Sequence, residues 1–231
     1  MKFLTIDDSR DFPFYNNNPR VSKKGWFCLF FCWAFFTLFG IYFMEYSELI
    51  GSLIFCFGLL IPLLYFVNWD YRRFFYKPTR NELILAVSLF IIYIVYALAI
   101  GSVLDYFGLS STVSPYKEVV TVESLFSLIF SMMGEELVKL IPFLFLMRVV
   151  YKYSENRYLA IGVSTVIVLL FFGFLHYDPP YSTLAEVLIT QGVGSLTEMY
   201  GYIRTKNLWV PYIAHFLTDF SVYLLMFIGW V

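Results

Sequence analysis

Three short motifs hold most of the residues able to do chemistry where this chain is otherwise apolar. Glu135 and Glu136 adjoin, with Lys139 close behind. His176 follows Phe172 by one helical turn. His215 precedes Asp219 by the same spacing. An ionisable side chain at membrane depth costs several kcal/mol and marks a functional site by default. His176 and His215 are the chain's 2 histidines. A carboxylate can activate water, and imidazoles can orient that water or donate to an oxyanion, which together make amide hydrolysis possible. Glu135, His176 and His215 could instead bind zinc and activate water that way. The metal-free route is preferred, because no His-Glu-x-x-His helix is present.

The spacing assigns partners. Glu135 and Lys139 stand at i, i+4 with Glu first, the better orientation for an ion pair. Glu136 points about 100° away round the helix. One carboxylate then acts as base while the other is held by Lys139; a cluster that only glues helices together is the plainer alternative. His215 and Asp219 share one face, so Asp219 can orient the imidazole. Glu186 and Glu198 read as helix-end residues. Pro142 removes a backbone donor and is expected to kink its helix beside the motif.

The elements that position these residues are membrane spans. Of 231 residues, 60% are hydrophobic, 22% aromatic and only 14% charged. Soluble domains carry about 25% charged residues, so a water-coated globule and a disordered chain are both excluded. The net charge of −1 gives no sign of a nucleic-acid partner. Cys28, Cys32 and Cys56 lie inside apolar runs and read as small core residues. Seven apolar segments fall at 26–44, 49–67, 83–103, 124–149, 159–177, 185–202 and 210–231. The sixth is weakest, with Glu186, Gln191 and Glu198 among glycines. Fourteen of the 16 Lys and Arg fall before segment one or between segments two and three, four and five, or six and seven; Lys117 alone lies on the other side. Lysine and arginine accumulate on the cytoplasmic face. The expectation is an all-α polytopic bundle of about seven transmembrane helices, N-terminus cytoplasmic. Residues 1–25 form a cytoplasmic arm, or less favourably an interfacial segment with Phe3, Phe12, Phe14 and Tyr15 at the headgroups. Residues 26–231 form the bundle, with a catalytic core at 124–225. Straight helices leave a mismatch: His176 lies about 25 Å along its segment from the cytoplasmic side, and His215 about 8 Å.

In order, the motifs resemble the CPBP family, the CAAX protease and bacteriocin-processing intramembrane proteases once called Abi. That family carries Glu-Glu, then Phe-x-x-x-His, then His-x-x-x-Asn/Asp on successive helices. Here these are Glu135-Glu136, Phe172 to His176, and His215 to Asp219; the approach from Gly201 to Pro211 also looks like the family's lead-in. The resemblance covers roughly 120–225. The family's usual Glu-Glu-x-x-x-Arg is replaced by Glu-Glu-x-x-Lys, with Leu140 where Arg is expected, which is closer to the PrsW-type branch. The resemblance implies an intramembrane endopeptidase with catalytic Glu135, Glu136, His176, His215 and Asp219, supported by Lys139 and Phe172. It makes Glu135, the first Glu, the base. It also implies a peptide or membrane-anchored protein substrate and lipid surroundings. No cofactor is expected, although zinc is possible, and a short single chain without targeting features suggests a bacterial plasma membrane. A non-catalytic scaffold or immunity protein of the same fold and a small-solute or proton-coupled transporter are the competing readings; the absence of an inverted repeat disfavours the transporter.

Overall fold

Apolar side chains face outward along most of the helices. Phe27, Phe31, Leu38, Val95, Leu98 and Val166 are all more than half exposed, as expected where lipid, not water, is the solvent. The computed structural model describes residues 10–112 and 120–230; Lys2, Phe3 and Lys117 lie outside them. Among the described residues the regular elements are all helical. They are α1 (Lys23–Met44), α2 (Glu48–Tyr65), a 3-10 turn (Tyr71–Arg73), α3 (Arg80–Tyr106), α4 (Val122–Ser154), α5 (Arg157–Leu175), α6 (Leu184–Val187), a π segment (Leu188–Val193), α7 (Leu196–Thr205) and α8 (Trp209–Phe227). Five of them, α1, α2, α3, α5 and α8, are long and apolar enough to cross a membrane. The chain is an integral membrane protein of the polytopic helical kind.

Capping side chains fix where the helices begin. Ser22, Ser47 and Asn156 accept from the backbone N–H groups of Gly25, Ile50 and Leu159. Thr79 with Glu82, Thr121 with Ser124 and Thr183 with Glu186 form reciprocal capping boxes. Each satisfies donors that the first helical turn leaves unpaired. Helix α4 is central and, Glu135 excepted, buried from Ser131 to Leu144. It runs through Pro142 without a break. Its 33 residues span about 50 Å at 1.5 Å per residue. The α1–α2 hairpin packs on one side of α4, α5 on another, and α8 on a third; α3 packs on α7 and α8. Close backbone approach joins α5 to the π segment. A Cβ on Gly173 would stand 2.8 Å from the Val187 carbonyl oxygen and 3.0 Å from the Gly192 Cα, so glycine is required there.

Two sequence expectations change. The sixth segment is not one helix but α6, the π segment and α7. Phe12, Phe14 and Tyr15 do not lie among headgroups: they are buried within protein. Phe12 meets the rings of Phe143 and Tyr202, and Phe14 those of Trp26 and Phe74. Asp11 pairs with Arg157 at 3.2 Å, and Arg10 with Glu82 at 2.7 Å. The turn between α7 and α8 is buried beneath this cover, with Lys206 and Asn207 wholly enclosed. Lys206 is therefore not a solvated loop charge; its ammonium lies 5.2 Å from the Phe12 ring centroid.

Candidate active site

Four elements bring ionisable groups to one place. Helix α4 supplies Glu135, Glu136 and Lys139. His176 is the residue that ends α5, where its backbone leaves helical geometry. Glu198 comes from α7, and His215 and Asp219 from α8. The depth mismatch expected between the histidines disappears because α8 starts inside the protein. Asn207 holds that start: its side-chain oxygen accepts the Tyr76 and Trp209 N–H groups, its amide donates to the Tyr76 carbonyl, and the Leu208 N–H donates to the Phe74 carbonyl.

The site divides into a buried tier and an open tier. In the buried tier the Lys139 ammonium donates to Glu136 Oε1 at 2.6 Å and to Glu198 Oε2. It also sits 4.6 Å from the Phe172 ring centroid, a cation over an aromatic face. His215 Nδ1 lies 2.8 Å from Glu136 Oε1 and donates to it. Glu136, Lys139 and Glu198 are at most 3% exposed. In the open tier the Glu135 side chain retains 25% exposure, with its Oε2 3.7 Å from His215 Nε2 and 3.9 Å from His176 Nε2. His176 Nδ1–H donates to the Phe172 carbonyl at 2.9 Å, which turns Nε2 toward Glu135. Asp219 Oδ2 lies 3.7 Å from His215 Nε2, too far for a hydrogen bond. The open tier forms the floor of a cavity of about 780 Å³.

All five residues expected to be catalytic meet here, with Lys139 and Phe172, but two pairings differ from the spacing argument. Lys139 pairs with Glu136 and Glu198, not with Glu135, because the i, i+3 carboxylate and the one on α7 flank its ammonium. Glu136, not Asp219, orients His215. Glu198 lies in the first turn of α7, as a helix-end residue would, and is also a member of the cluster. Its one sequence signal is a carboxylate beside glycines in the weakest span. Gln191, a polar residue of the same weak span, also lines the cavity, as do Ser195 and Tyr93, which gave no signal.

Among the described residues, Glu136, Glu198 and His215 bring ligand atoms within 4.8 Å of one another. The Lys139 ammonium already lies between those two carboxylates, supplying the positive charge a metal would bring. Glu135, His176 and His215, the set suggested by the sequence, do not form so tight a group.

Residues 117–221 match a family model described as type II CAAX prenyl endopeptidase, Rce1-like. The matched stretch runs from the approach to α4 into α8 and contains both tiers of the site. Over it the chain is similar to an endopeptidase family. No curated protein and no solved structure gives a significant match.

Proposed function

We propose that this chain is an intramembrane endopeptidase of the CPBP family that hydrolyses a peptide bond by glutamate-activated water. The observation that carries the reading is the division of labour between adjacent carboxylates: Glu136 is tied to Lys139 and His215, while Glu135 faces the cavity between two imidazole Nε2 atoms. Water held between Glu135 and His176 gives a proton to Glu135. Its oxygen attacks the substrate carbonyl carbon, and His215, in its imidazolium form, donates from Nε2 to the developing oxyanion. The tetrahedral intermediate collapses, the C–N bond breaks, and Glu135 passes its proton to the leaving amine. Such a positioned base and such a donor are each worth about 10²-fold or more.

The family match supports the reaction class, and Lys139, one residue before the position of the usual Arg, which Leu140 occupies, supports kinship with the PrsW-type branch. The substrate is a membrane-associated protein or peptide, and the location is the plasma membrane of a bacterium. No cofactor is required: the tight ligand set already holds an internal ammonium.

The test is cleavage of a native membrane peptide in liposomes. Glu135→Gln should abolish turnover while thermal stability stays at the wild-type level. His176→Ala and His215→Ala should each lose about 10²-fold or more. Wild-type turnover by Glu135→Gln would overturn the assignment of the base. Wild-type turnover by a variant carrying both Glu135→Gln and Glu136→Gln would favour the scaffold reading. Purified protein should carry less than about half an equivalent of zinc and keep its activity in chelators; chelator-sensitive, stoichiometric zinc would move the mechanism to a metal held by Glu135, His176 and His215.

A further inference from the structure

The cavity has a direction. Its lining residues come from one end of the bundle. Helices α1 and α2 contribute Met44, Glu45 and Glu48, at the hairpin that joins them. Helix α4 contributes residues from its first half, such as Ser127 and Ser131, and α5 its final turn. Helix α8 contributes residues from His215 onward to Tyr223, away from its buried start. The lysines and arginines lie at the opposite end: Arg72, Arg73 and Lys77 between α2 and α3 with Arg80 opening α3, and Lys152 in the last turn of α4 with Arg157 opening α5. By the charge rule that end is cytoplasmic. It is also closed, since Phe12, Phe14, Phe74 and Lys206 are wholly or almost wholly buried there.

The cavity lining is also predominantly acidic, His215 being its one cationic side chain in the mechanism proposed above. Five lining side chains are carboxylates, Glu45, Glu48, Glu135, Glu198 and Asp219, and none is Lys or Arg. Glu198 is balanced by Lys139. Among the described residues Glu45 and Glu48 show no ion pair. A cleft lined by one sign of charge with low-dielectric walls concentrates ions of the other sign, by factors of about 10 to 10³ in association rate.

We propose that this cavity opens to the non-cytoplasmic side and admits a positively charged peptide stretch there, so that its substrates are cleaved on their outward-facing portion. Calling the occupant a substrate rests on the protease reading; the direction and sign of the cavity stand without it.

The probes are two membrane-impermeant methanethiosulfonates of similar size, one bearing trimethylammonium and one sulfonate. They are applied to single cysteines in a background of Cys28→Ala, Cys32→Ala and Cys56→Ala. Ser127→Cys and Thr218→Cys lie in the cavity, and Lys77→Cys reports the cytoplasmic face. In right-side-out vesicles Ser127→Cys and Thr218→Cys should react and Lys77→Cys should not; in inverted vesicles the pattern should reverse. Reaction of the cavity cysteines from the cytoplasmic side, or from neither side, overturns the proposed opening. After correction for free-thiol rates, the cationic reagent should modify Ser127→Cys about tenfold faster than the anionic one. Adding Glu45→Gln and Glu48→Gln should bring that ratio toward one. Equal rates in the unaltered mouth overturn the cationic preference. Labelling needs no turnover, so an inward-opening active protease and an outward-opening inactive protein give different results.

Discussion

At the scale of the residue, Lys139 carries the most weight. Its ammonium stands between two buried carboxylates, and removing one partner of a buried charge network costs about 3–5 kcal/mol. Lys139→Met should therefore lower the unfolding temperature in detergent sharply. Combining it with Glu198→Gln should recover part of the loss, because one uncompensated charge then disappears. Additive losses in that double variant would show that the two side chains do not act as a pair. Asp219 makes the opposite case. At 3.7 Å from His215 Nε2 it makes no hydrogen bond to it, so Asp219→Asn should leave kcat within about tenfold, whereas Glu136→Gln should cost about 10²-fold or more by releasing His215. A larger loss from Asp219→Asn than from Glu136→Gln in the same assay would return the orienting role to Asp219.

Among the elements, the contact of α5 with the π segment sets the position of His176. Gly173 lies three residues before it, and its Cβ would press on the Val187 carbonyl. Gly173→Ala should cost about 1–3 kcal/mol of stability. It should also lower kcat by as much as 10²-fold, the usual result of a displacement near 1 Å. Melting curves and turnover measured on the same preparation separate the two effects; full activity with a lowered melting point would sever His176 from this contact. The same elements show what a single sequence can reveal. Long apolar runs and the lopsided distribution of Lys and Arg marked the helices, because burial in lipid leaves its trace in composition. The order of Glu, His and His along the chain marked the site. The pairing of Lys139 was not legible, since Glu135 and Glu136 both lie within a turn of it and its second partner, Glu198, is 59 positions distant. The break in the sixth span was equally hidden, because a π turn has no hydropathy pattern of its own. Nor could Lys206 be recognised as buried, since a lysine between two helices ordinarily marks a solvated loop.

Across the whole molecule, the N-terminal arm and the α7–α8 turn form one closure at the end remote from the cavity. Phe12 is 1% exposed and wedged between Phe143 and Tyr202. Phe12→Ala should cost about 3–5 kcal/mol, read from thermal unfolding in detergent; an unchanged melting point would mean that the arm contributes no stability. This closure also has a consequence in time. Arg10 donates to the Thr205 carbonyl across 195 positions, and at about 5–20 residues per second of synthesis the two are made roughly 10–40 s apart. Lys139 and Glu136 wait as well: Glu198 follows Lys139 by 59 positions and His215 follows Glu136 by 79, which is about 3–16 s at the same pace. Throughout that interval the Lys139–Glu136 pair of α4 stands in the bilayer without the rest of its network. A ribosome that stops short of α8 leaves Glu136 without His215, a mark by which membrane quality control can tell an unfinished chain from a complete one.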